Sequence, residues 1–215
     1  INKMKKSIFS IKNKNIFISG AYGFISSKLS EQLAKEGANL ILNGQDLKKL
    51  QNLEKRIKKI NSNVKLANFD IAKSSDIKNF FKNDYKLPLN SIIHNANYSN
   101  TGSLNEISEK DYIKSYEVSV TAAHNLLKYS KPNLLKAVKK YNFASFINIG
   151  SIYGSISPYF YNYGNEKYFN PPNYGVSKSA LIQWTKYAAC QYGKEGIRFN
   201  SISPGPIPNI DKKIN

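Results

Sequence analysis

The chain has 215 residues, 41% of them hydrophobic, which suits one large domain with a buried core. Its net charge of +18 comes from lysines scattered over helix faces and the N-terminal segment, beside abundant asparagine and isoleucine; this favours a solvated basic surface over a nucleic-acid interface. No stretch approaches the ~20 apolar residues of a membrane span, and a single cysteine, Cys190, excludes an internal disulfide and fits a reducing cytoplasm.

Residues 1–14 form a basic segment whose apolar run is too short for a secretion signal. The chain opens on Ile1, so its natural start is expected to lie upstream. Ile16-Phe17-Ile18 reads as a buried strand closed by Ser19-Gly20. Ile25, Leu29 and Leu33 recur at four-residue intervals, an amphipathic helix stopped by Gly37. Leu40-Ile41-Leu42 is a second strand, and Leu47, Leu50, Leu53, Ile57 and Ile60 line one face of a second helix. A third strand runs from Val64 to Phe69 and ends at Asp70, followed by a helix from about Ser75 to Asn83. Ile92-Ile93 begins a fourth strand running into His94-Asn95-Ala96, and a long helix is expected from Glu109 to Tyr129. Phe143 to Ile149 is a fifth strand, Tyr174 to Tyr192 a helix, and Ile197 to Ile202 a sixth strand.

Strands alternating with helices predict an α/β fold with a doubly wound parallel sheet covered on both faces. Such sheets bind ligands beyond the carboxyl ends of their strands. Gly20, Asp70, Asn95, Ser151 and Pro204 all fall at such ends. Neither His94 nor His124 has the neighbours of a metal site. Cys190, in Tyr187-Ala188-Ala189-Cys190, reads as a small buried hydrophobe. No internal repeat or second domain is visible.

Two groups carry chemistry. In Ser19-Gly20-Ala21-Tyr22-Gly23-Phe24-Ile25-Ser26, Gly20 permits a tight turn and Gly23 lets backbone approach a pyrophosphate at a helix N-terminus. Ser26 stands where a third glycine is expected and is small enough for close packing. In Tyr174-Gly175-Val176-Ser177-Lys178, positions i and i+4 share one helix face. A free tyrosine titrates near pH ~10, and a fixed positive charge beside a phenol favours its phenolate. With Ser151 to hydrogen-bond a substrate oxygen, the set suits interconversion of an alcohol and a carbonyl.

Together these residues resemble the short-chain dehydrogenase/reductase family over nearly the whole chain. Asn95-Ala96 is similar to part of its Asn-Asn-Ala-Gly motif, with His94 and Asn97 replacing the flanking members. Asn148-Ile149-Gly150-Ser151 resembles the strand ending in the catalytic serine, and Ser203-Pro204-Gly205-Pro206-Ile207 the segment holding the nicotinamide carboxamide. The resemblance implies a Rossmann-type fold and an NAD(P)-dependent oxidoreductase. Ser151, Tyr174, Lys178 and, in the proton relay where relatives carry asparagine, Ser119 would be catalytic. Gly20, Tyr22, Gly23, Phe24, Ile25, Asp70, Ile71, Asn95, Ala96, Tyr174, Lys178, Pro204, Gly205 and Ile207 would bind the cofactor. NAD and NADP both stay open. Gly44 occupies the usual acidic position, Gln45 the usual basic one, and Asp46 reads as the N-cap of the next helix.

The stretch between Ser151 and Tyr174 is longer than in most compact members and rich in aromatics, from Pro158-Tyr159-Phe160-Tyr161-Asn162-Tyr163 through Tyr168-Phe169. It reads either as a packed surface loop or as a substrate wall for a sugar or another polar ring. With Ile152-Tyr153-Gly154 and Thr185-Lys186-Tyr187 it resembles oxidoreductases of bacterial flagellin and surface-sugar modification. That implies a small-molecule substrate, possession of neither nucleic-acid nor membrane partners, a homodimer or tetramer, and a cytoplasmic location. Asn209 replaces a frequent threonine, and the family's later helix and seventh strand are expected beyond Asn215, so the chain reads as C-terminally truncated. Two alternatives stand beside this reading: an extended-type nucleotide-sugar epimerase or dehydratase, and a non-catalytic NAD(P)-binding regulator.

Overall fold

The computed structural model describes residues 9–61, 63–98 and 100–207. Asn209, residues 1–8 of the basic segment and the C-terminal end lie outside the described residues. In chain order the elements are β1 (Asn15–Ser19), α1 (Phe24–Lys35), β2 (Asn39–Gly44), α2 (Leu47–Lys58), β3 (Val64–Asn68), α3 (Ser74–Asn79), β4 (Ser91–His94), α4 (Glu109–Tyr116), α5 (Ala122–Tyr141), β5 (Ala144–Ile149), α6 (Pro172–Tyr192) and β6 (Ile197–Ile202).

The strands form one six-stranded sheet in the order β3-β2-β1-β4-β5-β6, with every pairing parallel. The apolar runs of the sequence account for this. Within β1, Phe17 enters the core on one face of the sheet, while Ile16 and Ile18 enter the core on the other. Strands buried on both faces have no polar side to offer water. Leu50, Leu53 and Ile57 of α2 and Ala34 of α1 cover the Ile16 side. Ile77, Leu126, Leu134 and Leu181, from α3, α5 and α6, cover the Phe17 side.

Two helices depart most from the sequence expectations. The helix begun at Ser74 passes at Asn79 into a π-helical turn over Phe80–Asp84, which seats Phe80 and Phe81 in the core. The long helix starts at Glu109 behind a Ser108–Asp111 capping box, as its polar cap residues dictate. It is broken by a second π-helical turn at Glu117–Thr121, and as α5 it runs on to Tyr141. Leu134 and Ala137 prolong the apolar stripe past Tyr129, and Asn142, left-handed at φ 63°, ends it. Cys190 is exposed. The buried stripe of α6 runs through Lys178, Leu181, Thr185 and Ala188, and Cys190 lies well off that face.

Strand order reverses between β1 and β4. Their carboxyl ends, Ser19 and His94, pair in register and open the crevice in which such sheets bind ligands. No helix among the described residues is long and apolar enough to cross a membrane.

Candidate active site

The turn after β1 is shaped by two demands. Gly20 has φ +61°, and a Cβ there would lie 2.9 Å from the Cα of Ala96, so a side chain would meet both backbone strain and backbone atoms. The turn is held by Gly23 N–H donating to the Gly20 carbonyl at 3.0 Å and by Ala21 N–H donating to that of Asn43 at 2.9 Å. Gly23 is the N-cap of α1 and supplies no side-chain cap, and the first turn carries no acidic residue. The opening amides of a helix have no intrahelical partner, so this end offers uncapped N–H groups and a positive dipole to an anion. Ser26, in the third-glycine place, is fully buried, as close packing there requires. These features fit a dinucleotide pyrophosphate.

At the end of β2 the ring of Tyr22 lies directly over the backbone of Gly44. The Tyr22 hydroxyl accepts the Asp46 N–H at 3.4 Å. Asp46 caps α2, accepting the Lys49 N–H at 3.0 Å, and its carboxylate is held below its ordinary pKa chiefly by that bond. The N-cap role expected for Asp46 is therefore its structural role. Asp70 accepts the Ala72 N–H at 2.9 Å, and the Ile71 side chain is buried in the core.

The departures at His94 and Ser119 belong to one network. Ser19 Oγ accepts N–H bonds from Asn95 and Ala96, both at 3.1 Å. Its own proton is left for His94 Nδ1 at 2.8 Å, so Nε2 carries the ring proton and donates to the Ser119 carbonyl at 2.9 Å. Full burial, and secondarily the Lys178 charge, pull His94 down to about 4. His94 thus ties the ends of β1 and β4 to the π-helical turn. Ser119 is buried and does not line the catalytic cleft.

That cleft, of about 470 Å³, brings together Gly23, Phe24, Ile25, Asn95, Ser151, Tyr174, Lys178, Pro204, Gly205 and Ile207. Gly20, Tyr22, Asp70, Ile71 and Ala96 do not line this cavity. Lys178 is 2% exposed. Its ammonium donates to the Ile149 carbonyl at 2.7 Å and stands 5.6 Å from the centre of the Tyr174 ring. Burial pulls it down to about 8. Ser151 accepts the Tyr153 N–H at 3.2 Å, opening a short 3-10 turn. That turn packs hard on α6, since a Cβ on Gly175 would lie 2.8 Å from the Tyr153 carbonyl oxygen. Serine, tyrosine and lysine are thereby fixed against one another. They can hold a substrate oxygen and move a proton to or from it.

Among the other residues lining the same cleft, Asn97, Tyr153, Tyr163 and Asn170 are not among the site residues expected from sequence. The available signal was the aromatic insertion, which does not say which ring turns inward. Tyr159, Tyr161 and Tyr168 are exposed. A larger cleft of about 720 Å³ lies beside the catalytic groups, walled by Leu104, Ile156, Phe160 and Val176. It shares Tyr153 and Asn170 with the catalytic cleft but contains none of Ser151, Tyr174 and Lys178.

A parallel sheet with an uncapped glycine turn at its switch point, facing a buried lysine and a tyrosine, defines a dinucleotide-dependent oxidoreductase. The family model described as enoyl-(acyl carrier protein) reductase matches residues 20–214. The chain belongs to the short-chain dehydrogenase/reductase family. It is 27% identical over 209 residues to the 3-oxoacyl-(acyl-carrier-protein) reductase FabG of Rickettsia conorii, covering 97% of this chain and 79% of that one. Pseudomonas aeruginosa RhlG, solved as an NADP active-site complex, is similar in fold, with TM-score 0.81 and 22% identity over 93% of this chain and 75% of that one. L-sorbose reductase from Gluconobacter frateurii, solved with NADPH and L-sorbose, gives TM-score 0.79 and 23% identity over 94% and 73%.

Proposed function

We propose that this oxidoreductase interconverts an alcohol and a carbonyl on a sugar or sugar derivative, with NAD or NADP as cofactor. The observation that carries the reading is the buried Lys178 ammonium 5.6 Å from the Tyr174 ring, in one cleft with Ser151 and the Gly23–Ile25 turn. The uncapped start of α1 would receive the pyrophosphate. Gly20, Tyr22, Asp70, Ile71, Asn95 and Ala96 would border the adenosine half, and Pro204, Gly205 and Ile207 the nicotinamide half.

When bound, the nicotinamide supplies or accepts the hydride. Ser151 donates a hydrogen bond to the substrate oxygen and fixes its position. Tyr174 gives that oxygen its proton in reduction and takes it in oxidation. Lys178 provides a positive charge beside the phenol as negative charge develops on it.

The sugar class rests on the resemblance to surface-sugar oxidoreductases and on a structural neighbour solved with L-sorbose. A cytoplasmic place in surface-glycan synthesis and a dimer or tetramer belong to the same reading. Exposed Ile113 and Tyr116 on α4, with Val176 and Tyr187 on α6, would meet a second copy. The test is titration with NADH and NADPH, followed by nicotinamide fluorescence, and then turnover on a panel of keto-sugars and simple ketones. Saturable binding with reduction of a keto-sugar supports the reading. Binding without reduction of any carbonyl removes it.

A further inference from the structure

The insertion between Ser151 and Tyr174 returns a specific group of polar atoms to the catalytic cleft. Most of its aromatic residues do something else. Tyr159 and Tyr161 lie on the surface with ring centres 5.3 Å apart, and Phe160 packs on Phe169 at 4.6 Å. Tyr163 instead lines the cleft that holds Ser151, Tyr174 and Lys178, beside Tyr153 and Asn170.

The hydroxyls of Tyr153 and Tyr163 are 3.4 Å apart. Whichever hydroxyl donates, the pair uses only one of its two protons. The Tyr163 phenol is held above its ordinary pKa, first by the bond to Tyr153 and then by desolvation. The accepting hydroxyl keeps its own proton for a third group, and the donating oxygen keeps its lone pairs. Asn170 stands beside them on the same wall, with its side-chain oxygen buried away from the cleft. The wall thus carries an uncommitted donor and an uncommitted acceptor.

A hydroxyl group both donates and accepts, and satisfies such a pair. A methylene chain would leave these atoms unpaired in a closed site, which is how hydrogen-bonding pockets reject substrates that lack a hydroxyl. The wall also has a fixed place relative to the chemistry, because the Tyr153 N–H donates to Ser151 Oγ at 3.2 Å. A group held by the Tyr153 side of the cleft is held close to the reacting carbonyl.

We propose that Tyr153 and Tyr163 form a hydroxyl-recognising wall, so that the enzyme selects carbonyl substrates bearing a hydroxyl group near the reacting carbon over plain alkyl ketones. This rests on the oxidoreductase reading and gives its substrate class a structural basis in this chain's own insertion.

The experiment compares reduction of 2-hydroxycyclohexanone and cyclohexanone by the full chain with saturating NADPH or NADH. The wild type is expected to favour the hydroxylated ketone by about tenfold or more in kcat/KM, the discrimination typical of a lost buried hydrogen bond. Tyr153→Phe and Tyr163→Phe remove one hydroxyl each, and both are expected to bring the ratio to within about twofold of unity. Tyr161→Phe, on the outer surface of the same insertion, is expected to keep the wild-type ratio. A wild-type ratio near one, or a ratio that both inner variants preserve, overturns the wall while leaving the oxidoreductase reading standing. A wild type that reduces neither ketone with either cofactor overturns that reading and the wall together.

Discussion

Ser19 donates its hydroxyl proton to Nδ1 of His94 at 2.8 Å, and this one bond decides the state of the only imidazole at the switch point among the described residues. His94 is fully buried, and its pKa is pulled from 6.5 to about 4 by desolvation first and the Lys178 charge second. Folding therefore excludes a proton that the unfolded chain accepts. Between pH 6.5 and about 4 the unfolded state binds more protons, so stability falls as the medium is acidified. The melting temperature is expected to drop across that window. His94→Asn removes the titrating group and is expected to flatten the drop, as thermal unfolding followed at a series of pH values would show.

Lys178 gives a second pH signature, with opposite signs for activity and stability. Its ammonium is pulled from 10.5 to about 8 by burial. Above pH 8 the positive charge beside Tyr174 is lost, and kcat/KM is expected to decline along a basic limb centred near that value. Over the same range, from 8 to 10.5, the unfolded chain holds the proton that the folded chain releases, so this group makes folding more favourable as pH rises. Parallel rate and unfolding profiles separate the two effects; a rate that keeps rising to pH 10 would remove Lys178 from the proposed role.

Much of the fold was legible because the central strands β1, β2, β4 and β5 bury both faces and their apolar runs end at motifs. β6 at Ile197–Ile202 has the bounds expected from sequence, and Gly20, Asn95, Ser151 and Pro204 occupy one edge of the sheet. The π-helical turn at Glu117–Thr121 was not legible. One extra residue per turn barely disturbs the apolar spacing of a long helix. The exposure of Cys190 is set by its angular position on α6, which residue type alone does not give. Tyr163 was hidden by its company: composition marks an aromatic loop, but only backbone path decides which ring enters the cleft.

Gly20 should tolerate no side chain. Gly20→Ala combines a left-handed φ of +61° with a Cβ only 2.9 Å from Ala96 Cα. A cost of about 1–3 kcal/mol in stability is expected from strain of this kind, together with weaker NADH and NADPH binding. Differential scanning calorimetry and fluorescence titration would read the two effects separately.

Gly44 offers a test of the cofactor-selecting corner. The Tyr22 ring occupies the space that a side chain at position 44 would need. Gly44→Asp is therefore expected to displace Tyr22 and weaken both cofactors, instead of simply introducing NAD preference as a carboxylate at this strand end otherwise does. Gly44→Asp combined with Tyr22→Ala frees the space and is expected to recover NADH binding in preference to NADPH.

The most direct measurement compares Tyr174→Phe with wild type in cofactor titration and carbonyl reduction on the same preparation. The change deletes one oxygen from a ring that stays beside Lys178, so NAD(P)H affinity is expected to stay within about threefold while turnover falls by about a thousandfold or more. Turnover close to wild type in a variant that binds cofactor normally would contradict Tyr174 as the proton-transferring group, and the account with it.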